Sequence, residues 1–143
     1  MDRSAFTSSL QLSGITVCFP IITAGNMYYY KVKANHTNSS ANSAYSSVVK
    51  GTCDLPRPNA SVALNSSGKP VITWEKVSGA TKYTVYIYDA DGNLLKTSST
   101  TGTKLTHSSA VKGTTYSYRV VAVHSNSAAN SAKSTAVSIK CTK

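Results

Sequence analysis

Acidic residues are scarce in this chain. Five of them (Asp2, Asp54, Glu75, Asp89 and Asp91) stand against 15 Lys and Arg over 143 residues, a formal net charge of +10. Chemistry that needs paired carboxylates has little to draw on here. There is one Trp, with two Phe and two Met, so the nine Tyr supply most of the aromatic surface. No apolar run approaches the roughly 18 residues that a membrane-crossing helix needs. Residues 15–24 are apolar enough for the centre of a secretion signal, but only Arg3 precedes them and no clean cleavage site follows. Three Cys, an odd number, cannot form a fully paired disulfide framework within one chain. Three His and three Cys show none of the short paired spacings of zinc sites, and the sequence calls for no cofactor.

What the chain does have is hydroxyl side chains, 23 Ser and 17 Thr. Together with Val and Tyr they favour strands, while Leu, Glu and Met are few. The chain also repeats itself. Shifted by 88 positions, residues 25–53 (GNMYYYKVKANHTNSSANSAYSSVVKGTC) fall on residues 113–141 (GTTYSYRVVAVHSNSAANSAKSTAVSIKC) without a gap, and 15 of the 29 pairs are identical. Tyr28/Tyr116, Tyr30/Tyr118, His36/His124 and Cys53/Cys141 are among them. The duplication predicts a partial unit at 1–53, a Pro-containing linker at 54–59 and a complete unit at 60–143. Read this way, the chain opens part-way through a repeat, and Pro56 and Pro58 make the linker semi-rigid.

Period-two alternation runs through the complete unit. Strands are predicted at 61–64, 70–75, 82–89, 94–98, 104–107, 114–124 and 133–140, with a hairpin turn at Asp91-Gly92-Asn93. Ile72 and Trp74 oppose Val71 and Thr73; Tyr83, Val85 and Ile87 oppose Thr84, Tyr86 and Tyr88. In the longest strand Tyr116, Tyr118, Val120 and Ala122 are expected inward, and Ser117, Arg119 and Val121 outward. Seven strands with no convincing helix predict a two-sheet antiparallel sandwich.

Trp74 in the second strand, then SGATKYTVYIYD, then GTTYSYRVVAV and a Ser/Asn-rich loop, resembles a fibronectin type III domain. The resemblance implies an all-β, seven-stranded, immunoglobulin-like sandwich, preceded by the C-terminal half of a second such domain. It implies core positions for Trp74 and Tyr83. It also implies that Tyr116 locks the crossing between strands five and six, with Tyr28 its counterpart in the first unit. The stretches SGATKYTVY and DADGNLL are similar to fibronectin-like repeats in surface and secreted proteins of Gram-positive bacteria. That similarity implies an extracellular or cell-surface setting. Half a sandwich leaves an inner face uncovered, and residues 15–22 are more apolar than their counterparts at 103–110. The region 5–24 is therefore expected to pack against the second unit, another copy of the chain or upstream sequence.

Candidate chemistry is thin. His36 and His124 are each followed by Ser or Thr and Asn, but no acid sits in either loop, so both read as exposed loop residues. His107 has no evident partner in the sequence. Asp89-Ala90-Asp91-Gly92-Asn93 resembles the start of a calcium loop but lacks the closing Glu, and suits a hairpin as it stands. For the cysteines a Cys18–Cys53 bond and three unbonded thiols both stay open. Charge divides as +2 up to Leu55 and +8 from Pro56 onward. Its Lys and Arg are dispersed rather than interleaved with stacking aromatics, which argues against nucleic acid. One surface stands out: Tyr86, Tyr88 and Arg119 on neighbouring strands could stack on sugar rings or meet a protein. The expectation is a non-catalytic spacer or interaction module whose partners are other domains of the same parent protein. The alternative is a module for carbohydrate or anionic cell-wall polymer.

Overall fold

A computed structural model of the chain describes residues 8–12, 15–19 and 22–142, the first two segments as backbone. It forms two compact units, residues 1–53 and 54–143. In the first unit β1 (Ser8–Leu12) pairs antiparallel with β2 (Ile15–Phe19), placing Ser8 opposite Phe19. A second pair joins β3 (Met27–Tyr30) to β4 (Val49–Thr52), Met27 opposite Thr52. Tyr28 and Tyr30 share one face of β3 with rings 6.4 Å apart, while Met27 and Tyr29 stand exposed on the other. Of the region 5–24 expected to pack against another surface, the side chains of residues 5–21, Cys18 included, lie outside the described residues.

The second unit has seven strands: β5 (Ala60–Leu64), β6 (Pro70–Trp74), β7 (Lys82–Tyr88), β8 (Leu94–Thr100), β9 (Lys104–Thr106), β10 (Thr115–Val123) and β11 (Val137–Lys140). They form a three-stranded sheet in the order β5-β6-β9 and a four-stranded sheet in the order β11-β10-β7-β8, every pairing antiparallel. Alternation decides the faces. Ile72 and Trp74 from one sheet, and Tyr83, Val85, Ile87, Tyr116, Tyr118, Val120 and Ala122 from the other, are all buried. Each large side chain removed from water in this way stabilises the fold by roughly 1.5–3 kcal/mol. Trp74 lies 5.3 Å from Tyr83, ring centre to ring centre, and Tyr83 Oη accepts from the Val77 N–H at 2.8 Å. Leu55 and Pro58 are also buried within this unit, and the Leu55 N–H donates to Ala129 O at 2.8 Å.

Two expectations need correction. The last strand starts at Val137 rather than residue 133. Residues 131–134 still run beside β10, with Ser131 N–H donating to Ala122 O and Ser134 N–H to Val120 O. In the return direction the hydroxyls of Ser131 and Ser134 accept from the N–H groups of Ala122 and Val120. Two edge residues, Ala132 and Lys133, thus stand against one on β10, Val121, a bulge-like excess that interrupts the ladder. Val121, expected outward, is only 8% exposed. Lys133 sits on that bulged edge, yet its amine reaches Tyr86 and Tyr88 on the far side of β10, so its stem lies across the outer face where Val121 stands.

The duplicated segments repeat bond for bond at the 88-residue offset. Tyr28 Oη accepts from the Thr23 N–H and Tyr116 Oη from the Val111 N–H. The Ser43 and Ser46 hydroxyls accept from Ala34 and Val32 N–H, as those of Ser131 and Ser134 do from Ala122 and Val120. Gly25 and Gly113, both at positive φ, each donate to the carbonyl of the closing cysteine, Cys53 or Cys141. Length differs: β3 has four residues and β10 nine. β10 is held on its second side by β7 over Ser117–Val123, and the corresponding residues 29–35 have no such neighbour among the described residues.

Candidate functional site

The outer face of the four-stranded sheet carries the tyrosine and arginine singled out by the alternation of β7 and β10. Register sets Tyr86 opposite Arg119 and Tyr88 opposite Ser117. All four are half-buried rather than fully exposed. A fifth side chain joins them. Lys133 Nζ lies 4.3 Å from the Tyr86 ring centre and donates to Tyr88 Oη at 3.0 Å. An ammonium over an aromatic face is attracted by the ring's negative centre, by about 0.5–1 kcal/mol at a site open to water. One face of Tyr86 is therefore occupied by a cation.

Arg119 is fixed from the other side, its Nη1 donating to Ser134 O at 3.2 Å. Ser117 Oγ is bonded to Ser138 Oγ on β11 at 2.6 Å. Beside these groups opens a cleft of about 380 Å³ lined by Tyr88, Gly92, Ser117, Arg119, Lys133 and Ala136. Among the described residues no carboxylate lines it. The nearest acid in sequence, Asp89, turns its oxygens onto its own hairpin, accepting from the N–H groups of Asp91 and Asn93 and from Asn93 Nδ2. Those bonds, the Asn93 side chain foremost, hold its carboxyl below the usual carboxylate range.

Comparison with known proteins supplies the fold. No family model matches the chain, and no curated protein matches it in sequence. Among solved structures, a two-domain fibronectin type III segment of chicken tenascin is 16% identical at a TM-score of 0.60, covering 87% of this chain and 70% of its own. A Fn3-like protein from Clostridium thermocellum is 27% identical at a TM-score of 0.50, covering 64% of this chain and 95% of its own. A structure designated FN3tt mut is 18% identical at 0.53, covering 62% and 98%. The chain has the fibronectin type III fold. Domains of this fold are generally non-catalytic modules.

Within the fibronectin type III sandwich the remaining singled-out residues have structural surroundings. Trp74, Tyr83 and Tyr116 lie in the core. Tyr28 is half-buried, whereas its counterpart Tyr116 is covered by the edge of His107 at 4.8 Å. Trp74 Nε1 is buried without an acceptor among the described residues. His36 Nδ1 and His124 Nδ1 each accept from the N–H of the Asn two residues on, which in turn caps a short 3-10 turn. Neither histidine faces a hydroxyl nucleophile in those bonds.

His107 and Lys133 escaped the sequence reading. His107 is 8% exposed, and its Nδ1 shares a hydrogen bond of 3.0 Å with the fully buried Tyr118 Oη. Burial, with Lys96 and Lys69 nearby, lowers the His107 pKa; burial also raises that of Tyr118. The pair bridges the end of β9 to β10, and no periodicity connects them. Lys133 could have been noticed as the single Lys in the long Ser/Asn-rich loop, at the position where the first unit has Tyr45.

Proposed function

We propose that this chain is a non-catalytic fibronectin type III-like module, acting as a spacer or protein-interaction domain within a longer extracellular or cell-surface bacterial protein. Its partners are then the neighbouring domains of that protein. The observation that carries this reading is the duplicated hydrogen-bond frame. Two copies of one Tyr turn, one pair of edge serines and one His-Asn cap are built in series 88 residues apart. Serial repetition of a frame suits a chain whose task is to extend or present. The Fn3-like protein from Clostridium thermocellum supports a bacterial setting. The test is to melt residues 54–143 alone and within the full chain, and to assay the full chain against glycan, peptide and ester substrates. A module melts cooperatively at the same midpoint in both forms and turns nothing over. Loss of folding in the shorter chain, or turnover abolished by a point substitution, overturns the reading.

A further inference from the structure

The cleft on the outer face has features that a spacer does not need. Arg119 and Lys133 are its two cations, and neither has a carboxylate within ion-pair distance among the described residues. Both are held in place by neutral groups: Arg119 by Ser134 O, Lys133 by Tyr88 Oη and the Tyr86 ring. Two oriented cations without a counter-ion among the described residues, Arg119 half-buried and Lys133 exposed, form a positive concavity whose field an incoming anion would satisfy.

The repeat adds an independent observation. The frame bonds of the two units coincide, but the four lining positions inside the duplicated segment all differ. Ser117, Arg119, Lys133 and Ala136 stand where the first unit has Tyr29, Lys31, Tyr45 and Val48. The lining thus varies between the units while the frame bonds are kept, as a surface that selects a ligand requires. The volume, about 380 Å³, falls in the range of small-ligand pockets and exceeds what one oxyanion fills. The remaining lining offers hydroxyls from Tyr88 and Ser117.

We propose that this cleft binds an acidic sugar, its carboxylate or phosphate group between Arg119 and Lys133 and its hydroxyls toward Ser117 and Tyr88. The guanidinium supplies a planar fork of donors for the oxyanion, and the ammonium supplies a second positive charge. Glucuronate and glucose 1-phosphate present the same anion chemistry from the two sources, and glucose is the neutral control.

The test is a titration of the full, isotopically labelled chain with each of the three sugars, followed by amide chemical shifts. At least one acidic sugar should move the amides of residues 117–119 and 133–136, glucose should not, and the tighter acid identifies the source. Arg119→Gln and Lys133→Met should each weaken binding by about tenfold or more, since each removes a charged hydrogen-bond donor. Lys50→Met, which removes the same charge from the first unit, should leave it unchanged. The proposal is overturned if neither acid shifts these amides, if glucose binds as well, or if Lys50→Met costs as much as Arg119→Gln. The autonomy and inertness of the module would survive such a failure.

Discussion

Ser134→Ala removes one oxygen from the second unit and should cost more than its size suggests. Ser134 is fully buried. Its Oγ accepts from the Val120 N–H at 2.9 Å and donates to Thr135 O at 2.9 Å. Alanine fits the site but leaves the Val120 N–H, on a residue with no solvent exposure, without an acceptor. A buried donor orphaned in this way costs about 1–3 kcal/mol. For a domain of this size each kcal/mol moves the melting midpoint by about 4–8 °C, so a drop on the order of 5–20 °C is expected. The repeat supplies the control. Ser46 Oγ accepts from the Val32 N–H at 3.0 Å, but Val32 is 40% exposed, so water can replace the hydroxyl. Ser46→Ala should stay within about 0.5 kcal/mol. Calorimetric melts of the full chain and both variants decide the matter. A midpoint unmoved by Ser134→Ala, or an equal loss from Ser46→Ala, would refute the idea that burial rather than the bond itself sets the cost.

Acid should weaken the second unit through His107. Its folded-state pKa is lowered below the unfolded value of about 6.5, so the unfolded chain binds the proton more readily. The His107 contribution is complete above about pH 6.5 and declines as pH falls through that value. Urea midpoints at pH 7 and pH 5 should show the decline, and His107→Gln should flatten it; an unchanged slope in the variant would be the contrary result. Gly113→Ala should destabilise by about 1–2 kcal/mol, because φ is +79° there while the space around it is open, leaving backbone strain as the cost. A urea titration showing no loss would mean that the turn relaxes into another conformation.

Strands with large alternating side chains were the legible part of the fold. Tyr83-Val85-Ile87 and Tyr116-Tyr118-Val120-Ala122 announce their buried faces, because a strand's period of two needs no knowledge of its partners. Facing residues across the sandwich are a different matter. His107 and Tyr118 meet only after two sheets have packed, and a pattern confined to one strand carries no information about that meeting. The edge of β10 shows a second limit. The stretch from Lys133 reads as a continuous strand, yet serine hydroxyls replace part of the ladder and the Lys133 amine reaches over β10 to Tyr86 and Tyr88. Register therefore brings Tyr86, Tyr88 and Arg119 together from the sequence pattern, while the cation that completes their surroundings arrives by a bulge. Tyr28 adds a third case: its bond to Thr23 repeats that of Tyr116, but its burial depends on what covers the turn.

The two edge serines have a consequence for assembly. A bare sheet edge is a template on which another strand can grow, and chains with closely similar units in series keep such templates at high local concentration. Along residues 120–122 the donors of β10 are satisfied by the hydroxyls of Ser131 and Ser134, from the chain's own loop. A foreign strand would have to displace side-chain oxygens already in place, and its regular spacing does not match the two-against-one step of that edge. The irregularity that shortens the last strand thus closes β10 along residues 120–122 with the chain's own hydroxyls, leaving no donor there for a foreign strand.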